Sequence, residues 1–148
     1  MCQVRVILET VEPDEETVTF LYRLLEQREP HENISHQKMP SMEEHRRFID
    51  GWREIYLDWL IICLPYSKQR VGSIYLTHRR EIGVHLVSDW RRRGIGSAAV
   101  KALMASHGAG VYFANIAPSN YRSQDFFEHH GFRIIQYTYK LDWSGEPC

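Results

Sequence analysis

A chain of 148 residues and 17.5 kDa is long enough to bury roughly two thirds of its unfolded surface around one core, and it reads as a single domain spanning residues 1–148. Its formal charge of -1 leaves no positive field to draw in nucleic acid or an anionic membrane, and its longest apolar run, Trp59 to Leu64, is far too short to span a bilayer. Cys2, Cys63 and Cys148 lie far apart with no Cys-x-x-Cys pair, which argues against a disulfide framework or zinc site and for reduced thiols in a cytoplasmic protein without a visible signal peptide.

Val4 to Leu8 is a β-branched run suited to a strand. Pro13 with Asp14, Glu15 and Glu16 then makes a good helix start, and Val18, Leu21, Leu24 and Leu25 follow at helical spacing, reaching Arg28. Residues 29–40, with Pro30, Asn33, Ser35 and Pro40, form a loop. Ser41 and Glu44 have the spacing of a capping box, and Met42, His45, Ile49 and Trp52 share the helical face that follows. Trp59–Leu64, Val71–Thr77 and Glu81–Val87 are three strands in an antiparallel run. Gly94-Ile95-Gly96 then opens a helix with Ala99, Val100, Leu103 and Met104 as its core stripe, closed by Gly108. Val111–Ile116 is a strand, Asn120 caps a helix carrying Ser123, Phe126, Phe127 and His130, and Gly131 ends it. Ile135, Tyr137, Tyr139 and Leu141 alternate with polar residues, as in a half-buried strand. This order predicts an α/β chain with a mixed sheet and helices packed on it.

The segment with the plainest chemistry is Arg91-Arg92-Arg93-Gly94-Ile95-Gly96-Ser97. It joins a strand to a helix. The glycines let the backbone curl and approach a ligand closely. Amides at the helix start, with the positive end of the dipole behind them, suit an anion, and the arginines add charge. The natural guest is a pyrophosphate. There is no Gly-x-x-x-x-Gly-Lys loop for a nucleoside triphosphate, and no acidic residue where a dinucleotide fold would hold a ribose.

With Arg91, Gly94 and Gly96 at the defining places, the segment resembles the GNAT acetyltransferase motif Gln/Arg-x-x-Gly-x-Gly/Ala. The preceding Glu81-Ile82-Gly83-Val84-His85-Leu86 resembles the Glu-Ile-Gly opening of ribosomal-protein-acetylase-like members, at matching distance. Asn115-Ile116, Asn120, Ser123 and Phe126 to Phe132 look like the family's second half. The resemblance is specific from about Glu81 to Phe132. It implies a mixed, mostly antiparallel sheet of six to seven strands with about four helices, and a splay between strands 81–87 and 111–116.

It also implies a site. Acetyl-CoA would be the co-substrate, with main-chain groups of Leu86 and Val87 pairing with its pantetheine arm. Amides of Arg92 to Ser97 would hold its pyrophosphate beside Arg91, with Asn120 and Ser123 on the arm, and an amide near Val87 would polarise the thioester carbonyl. An acceptor amine would take the acetyl group directly. Glu81 is the first candidate base and His85, of the same strand parity, the second. Many members place a Tyr where this chain has Phe127. Tyr121 or Ser123 would then protonate the leaving thiolate, or water would, or the thiolate would leave without an acid.

Residues Arg28 to His45 would wall the acceptor end, with His31, Glu32 and His36 facing a small polar amine such as an amino sugar or nucleotide-linked amine. The histidines there lack the paired spacing of a zinc site, so no metal is expected. Three other readings stand beside this one: an acetylase of a protein or peptide amine, a coenzyme A-binding module without turnover, and a nucleic-acid binder using Arg91 to Arg93. The sequence admits a monomer or a homodimer, the final strand offering a pairing edge.

Overall fold

A computed structural model describes residues 3–28 and 38–145. Four strands, β1 (Ile7–Thr10), β2 (Tyr56–Cys63), β3 (Arg70–Thr77) and β4 (Ile82–Leu86), form one antiparallel sheet in chain order. The centre of β2 is apolar at every position because both of its faces are covered. Trp59, Ile61 and Cys63 pack with Val18, Leu21, Leu24 and Ile49, whereas Leu60 and Ile62 pack with Ala99, Val100 and Leu103 on the other side.

The first of those layers is α1 (Glu15–Glu26) and α2 (Met42–Asp50). Asp14 starts α1 by accepting a hydrogen bond from the Thr17 amide at 2.8 Å. Ser41 and Glu44 form the expected reciprocal capping box of α2. His45, buried between the two helices, bonds through Nε2 to the Val18 carbonyl at 2.9 Å. Trp52 donates its indole N–H to the Val11 carbonyl at 3.2 Å, tying the end of β1 to the turn after α2.

The second layer is α3 (Ile95–His107) and α4 (Tyr121–His129). The predicted stripe Ala99, Val100 and Leu103 is buried against the sheet. Asn120 caps α4 by accepting from the Ser123 amide at 3.2 Å. Gly131, with φ +90°, turns the chain so that Phe132 packs edge-on against Phe127. That φ lies in the left-handed region, where a side chain would strain the backbone.

The expected six to seven strands are corrected to four among the described residues. Residues 111–116 meet the sheet at one parallel bridge, Glu81 with Phe113, and make no strand. Residues 135–141 make none either. Both have the side-chain alternation of strands, but a strand exists only where a neighbour accepts and donates along its edge. Here one segment touches its neighbour at a single position, and the other has no neighbour among the described residues.

Candidate active site

The last sheet edge is joined at one end. Phe113 donates its N–H to the Arg80 carbonyl at 2.9 Å and accepts from the Ile82 amide at 2.7 Å. Arg80 reinforces this junction, donating from Nε to the Val111 carbonyl at 2.9 Å with its guanidinium over the Tyr112 ring. Beyond Ile82, no backbone bond crosses to residues 114–116 among the described residues. Strand alternation decides which groups face this opening. Glu81 and Val87 bond to β3, through Thr77 at 2.9 Å and Val71 at 2.8 Å, so odd positions are satisfied inward. The even positions Val84 and Leu86 turn their main-chain groups outward. The Leu86 carbonyl accepts from Arg91 Nε at 3.4 Å. The Val87 amide is therefore engaged, and the outward amides belong to Val84 and Leu86.

The loop closing this strand runs into α3. Gly94 is the N-cap, at φ +80°, and offers no side-chain cap. The first helical bond is from the Ala98 amide to the Gly94 carbonyl at 3.1 Å, so the amides of Ile95, Gly96 and Ser97 have no partner among the described residues. Gly96 has a packing reason as well: a Cβ there would stand 3.3 Å from Phe126 and 3.7 Å from Leu86. Arg91 is half-buried, while Arg92 and Arg93 are exposed. Arg92 holds a left-handed φ of 62°, and Arg93 lies over the Trp90 ring. The Ser97 hydroxyl pairs with His130 Nε2 at 2.9 Å.

On the opposite side of the sheet lies a cavity of about 800 Å³ between α1, α2 and the centre of β2–β4. Its wall includes Arg28, Phe48, Tyr56, Trp59, Tyr75 and His85. Tyr56 and Tyr75 stack in parallel 4.3 Å apart. The Tyr75 ring lies directly over Gly83, where a Cβ would fall 2.1 Å from it, so the glycine of the Glu-Ile-Gly opening makes room for that ring. His85 is half-buried and hydrogen-bonds through Nε2 to Arg28. Burial first, then the positive charges of Arg28 and Arg91, hold its pKa well below the usual histidine value, so the ring is neutral at pH 7. A guanidinium only donates, which puts the ring proton on Nδ1. Burial also raises the Tyr56 and Tyr75 hydroxyls, so both stay protonated.

His85 lines the cavity. Glu81, on the same side of the strand and close enough for its charge to act on the Tyr75 hydroxyl, accepts from the Thr77 hydroxyl at 3.0 Å and from the Asn115 side-chain amide. Tyr121 is exposed on the first turn of α4, and Phe127 is packed into the core between Phe126 and Phe132. His31, Glu32 and His36 lie outside the described residues. The sequence alone did not mark Tyr56, Trp59 and Tyr75 as the wall of a cavity. The register of Gly83 against Tyr75 was the available signal.

The architecture is an antiparallel sheet layered by helices on both faces, with one edge left open beside an uncapped helix start. A family model described as an acetyltransferase (GNAT) domain matches residues 5–133. The chain belongs to the GNAT family and is an acetyl-CoA-dependent N-acetyltransferase. Among solved structures, it is similar to an acetyltransferase from Thermus thermophilus, with 18% identity, 92% of each chain covered and a TM-score of 0.71. It also resembles a Salmonella typhimurium acetyltransferase that modifies the N-terminal serine of ribosomal protein L7/L12, with 19% identity over 86% of this chain and 80% of that one, at TM-score 0.66. The microcin C7 self-immunity acetyltransferase MccE, solved with acetyl-CoA and AMP, aligns at 20% identity over 88% of this chain and 79% of that one, at TM-score 0.63. No curated protein matches the sequence. Among the described residues, no helix is long and apolar enough to cross a membrane.

Proposed function

We propose that this enzyme acetylates a primary amine on a small polar acceptor by direct transfer, without a covalent enzyme intermediate. When bound, acetyl-CoA supplies the acetyl group as an activated thioester. The carrying observation is the one-ended junction at Phe113, which leaves the main-chain groups of Val84 and Leu86 facing an opening that leads to the uncapped amides of α3. Those amides, at Ile95, Gly96 and Ser97, suit a diphosphate, with Arg91, Arg92 and Arg93 adding positive charge. Asn120 uses its side-chain oxygen on the Ser123 amide, so its NH₂ is left to donate to the cofactor arm near Ser123. Because the Val87 amide is taken by Val71, the amide that polarises a carbonyl in the opening is that of Val84 or Leu86.

The acceptor enters the cavity walled by Tyr56, Tyr75 and His85, whose volume of about 800 Å³ suits a small molecule. His85, uncharged at neutral pH, accepts a hydrogen bond from the acceptor amine at Nε2 in exchange for Arg28 and takes its proton. Glu81 is a positioning residue that holds the 111–116 wall through Asn115. Tyr121 or water returns a proton to the leaving thiolate.

A second reading is acetylation of a protein N-terminus, favoured by the likeness to the enzyme acting on L7/L12. Thiol release from acetyl-CoA across a panel of amino sugars, nucleotide-linked amines and peptide N-termini tests both. Turnover on small amines is expected, and turnover on peptides alone would replace the first reading with the second. Calorimetric binding of acetyl-CoA with no release on any amine would leave a carrier-binding module.

A further inference from the structure

Tyr22 and Tyr112 spend their hydroxyls on main-chain carbonyls, those of Pro40 at 2.9 Å and Gly108 at 2.6 Å. Tyr75 does not. It lines the cavity, and its hydroxyl has no hydrogen-bond partner among the described residues. A tyrosine enclosed to this degree ordinarily finds one.

The hydroxyl is nevertheless held in place. The β3–β4 register sets Tyr75 opposite Gly83, and the ring and hydroxyl occupy the space that a Gly83 side chain would fill. Tyr56 stacks on the ring from β2, 4.3 Å away and within 7° of parallel. Alternation along β4 puts Glu81 and His85 on the same face as Gly83, one to either side. The Tyr75 oxygen is therefore seated between a carboxylate and an imidazole, and the Tyr75 and His85 ring centroids are 6.5 Å apart. The charges of Arg28 and Glu81 both reach it. Their opposite signs orient the O–H dipole, with its hydrogen toward Glu81 and its lone pairs toward Arg28. Arg28 is itself bonded to His85 Nε2. A nitrogen donor thus already sits at the imidazole, within electrostatic reach of the phenol oxygen.

We infer that Tyr75 and His85 together hold the acceptor as a primary amine, the Tyr75 oxygen and His85 Nε2 each accepting one of its two N–H groups. The inference rests on the reading of this cavity as the acceptor site with His85 as base. A neutral primary amine has two N–H groups and one lone pair, so holding both N–H groups fixes the direction of the lone pair. The nitrogen bonds to the thioester carbonyl carbon, the carbon–sulfur bond breaks with its electron pair passing to sulfur, and His85 Nε2 takes the amine proton. Tyr75 keeps its own proton throughout. A secondary amine has a single N–H, which His85 must receive as base, so it gains nothing from Tyr75. The tyrosine is in this way a selector of primary over N-substituted amines.

Initial-rate kinetics on a matched pair tests this, using the small amine of the panel above with the highest turnover and its N-methyl derivative. Tyr75→Phe keeps the ring over Gly83 and removes only the hydroxyl. It should lower kcat/KM for the primary amine by about 10–10²-fold, leave that for the N-methyl amine unchanged, and leave calorimetric acetyl-CoA affinity unchanged. Gly83→Ala, which displaces the hydroxyl without deleting it, is the second variant and should repeat the selective loss. Equal losses on both amines would make Tyr75 a packing residue, and no loss on either would make its hydroxyl idle; each result overturns the inference while leaving the acceptor cavity in place. Wild-type enzyme that turns over no small amine would remove the acceptor reading and this inference together.

Discussion

The start of α2 and the start of α3 meet the same physical problem in opposite ways. Both leave the first amides of a helix without partners in the chain's own backbone. At α2, Ser41 and Glu44 satisfy them reciprocally, and His45 one turn later seals the helix to α1. Asp14 and Asn120 likewise cap α1 and α4. At α3 the cap is a glycine with no side chain to offer, and the neighbouring sheet edge at Val84 and Leu86 is also left open. Polar groups are satisfied internally at three helix starts and left without a side-chain cap at the fourth, the place where the proposed cofactor site lies.

The contrast can be broken from either side. The largest effect is expected at Gly94, where a valine would be forced into φ +80° and against Val4. Gly94→Val should weaken acetyl-CoA binding about 100-fold or more, measured by calorimetry, with helix content retained. Within the cavity, His85→Gln should lower kcat/KM by roughly 10²–10⁴ without changing acetyl-CoA affinity. Glu81→Gln should cost about tenfold through the displaced wall. Steady-state kinetics over a pH series separates the two, and a larger loss in Glu81→Gln would return the base to that carboxylate. On the closed side, Ser41→Ala should cost ~1 kcal/mol in urea unfolding and leave ligand affinity untouched.

The smallest expected effect concerns pH. His45 is held below its usual pKa, by burial first, and His85 far below. Below the unfolded value of about 6.5, the unfolded chain therefore binds protons that the folded chain refuses. Their contribution to stability is fully present above that pH and is lost as pH falls toward the folded values. The thermal midpoint should drop between about pH 7 and pH 5, and His45→Gln should flatten the slope. An unchanged slope in that variant would assign the effect to other groups.

Much of this architecture is legible locally. Ser41 and Glu44 announce a capping box, Asn120 a cap, and Gly108 and Gly131 the helix ends, because each acts on groups within one turn of itself. The continuous run Trp59–Cys63 is legible as a strand covered on both faces. The Arg91–Ser97 loop is legible because its chemistry resides in its own backbone. The cavity was not, since Tyr56, Tyr75 and Gly83 become neighbours only through the β2–β3–β4 register. Likewise, parity alone put Glu81 and His85 together, although packing gives them different surroundings, a carboxylate held by Asn115 and an imidazole held by Arg28.

Residue order by itself determined the helices, their caps, the antiparallel run and the glycine-opened loop before α3, all of which depend on interactions a few residues long. Tertiary structure alone decided which alternating segments became strands and which amides of β4 remained available. Residues 111–116 and 135–141 have the period of strands as clearly as β3 does. Pairing, however, requires a second chain segment at hydrogen-bonding distance, and no one-dimensional pattern can state whether that segment is there.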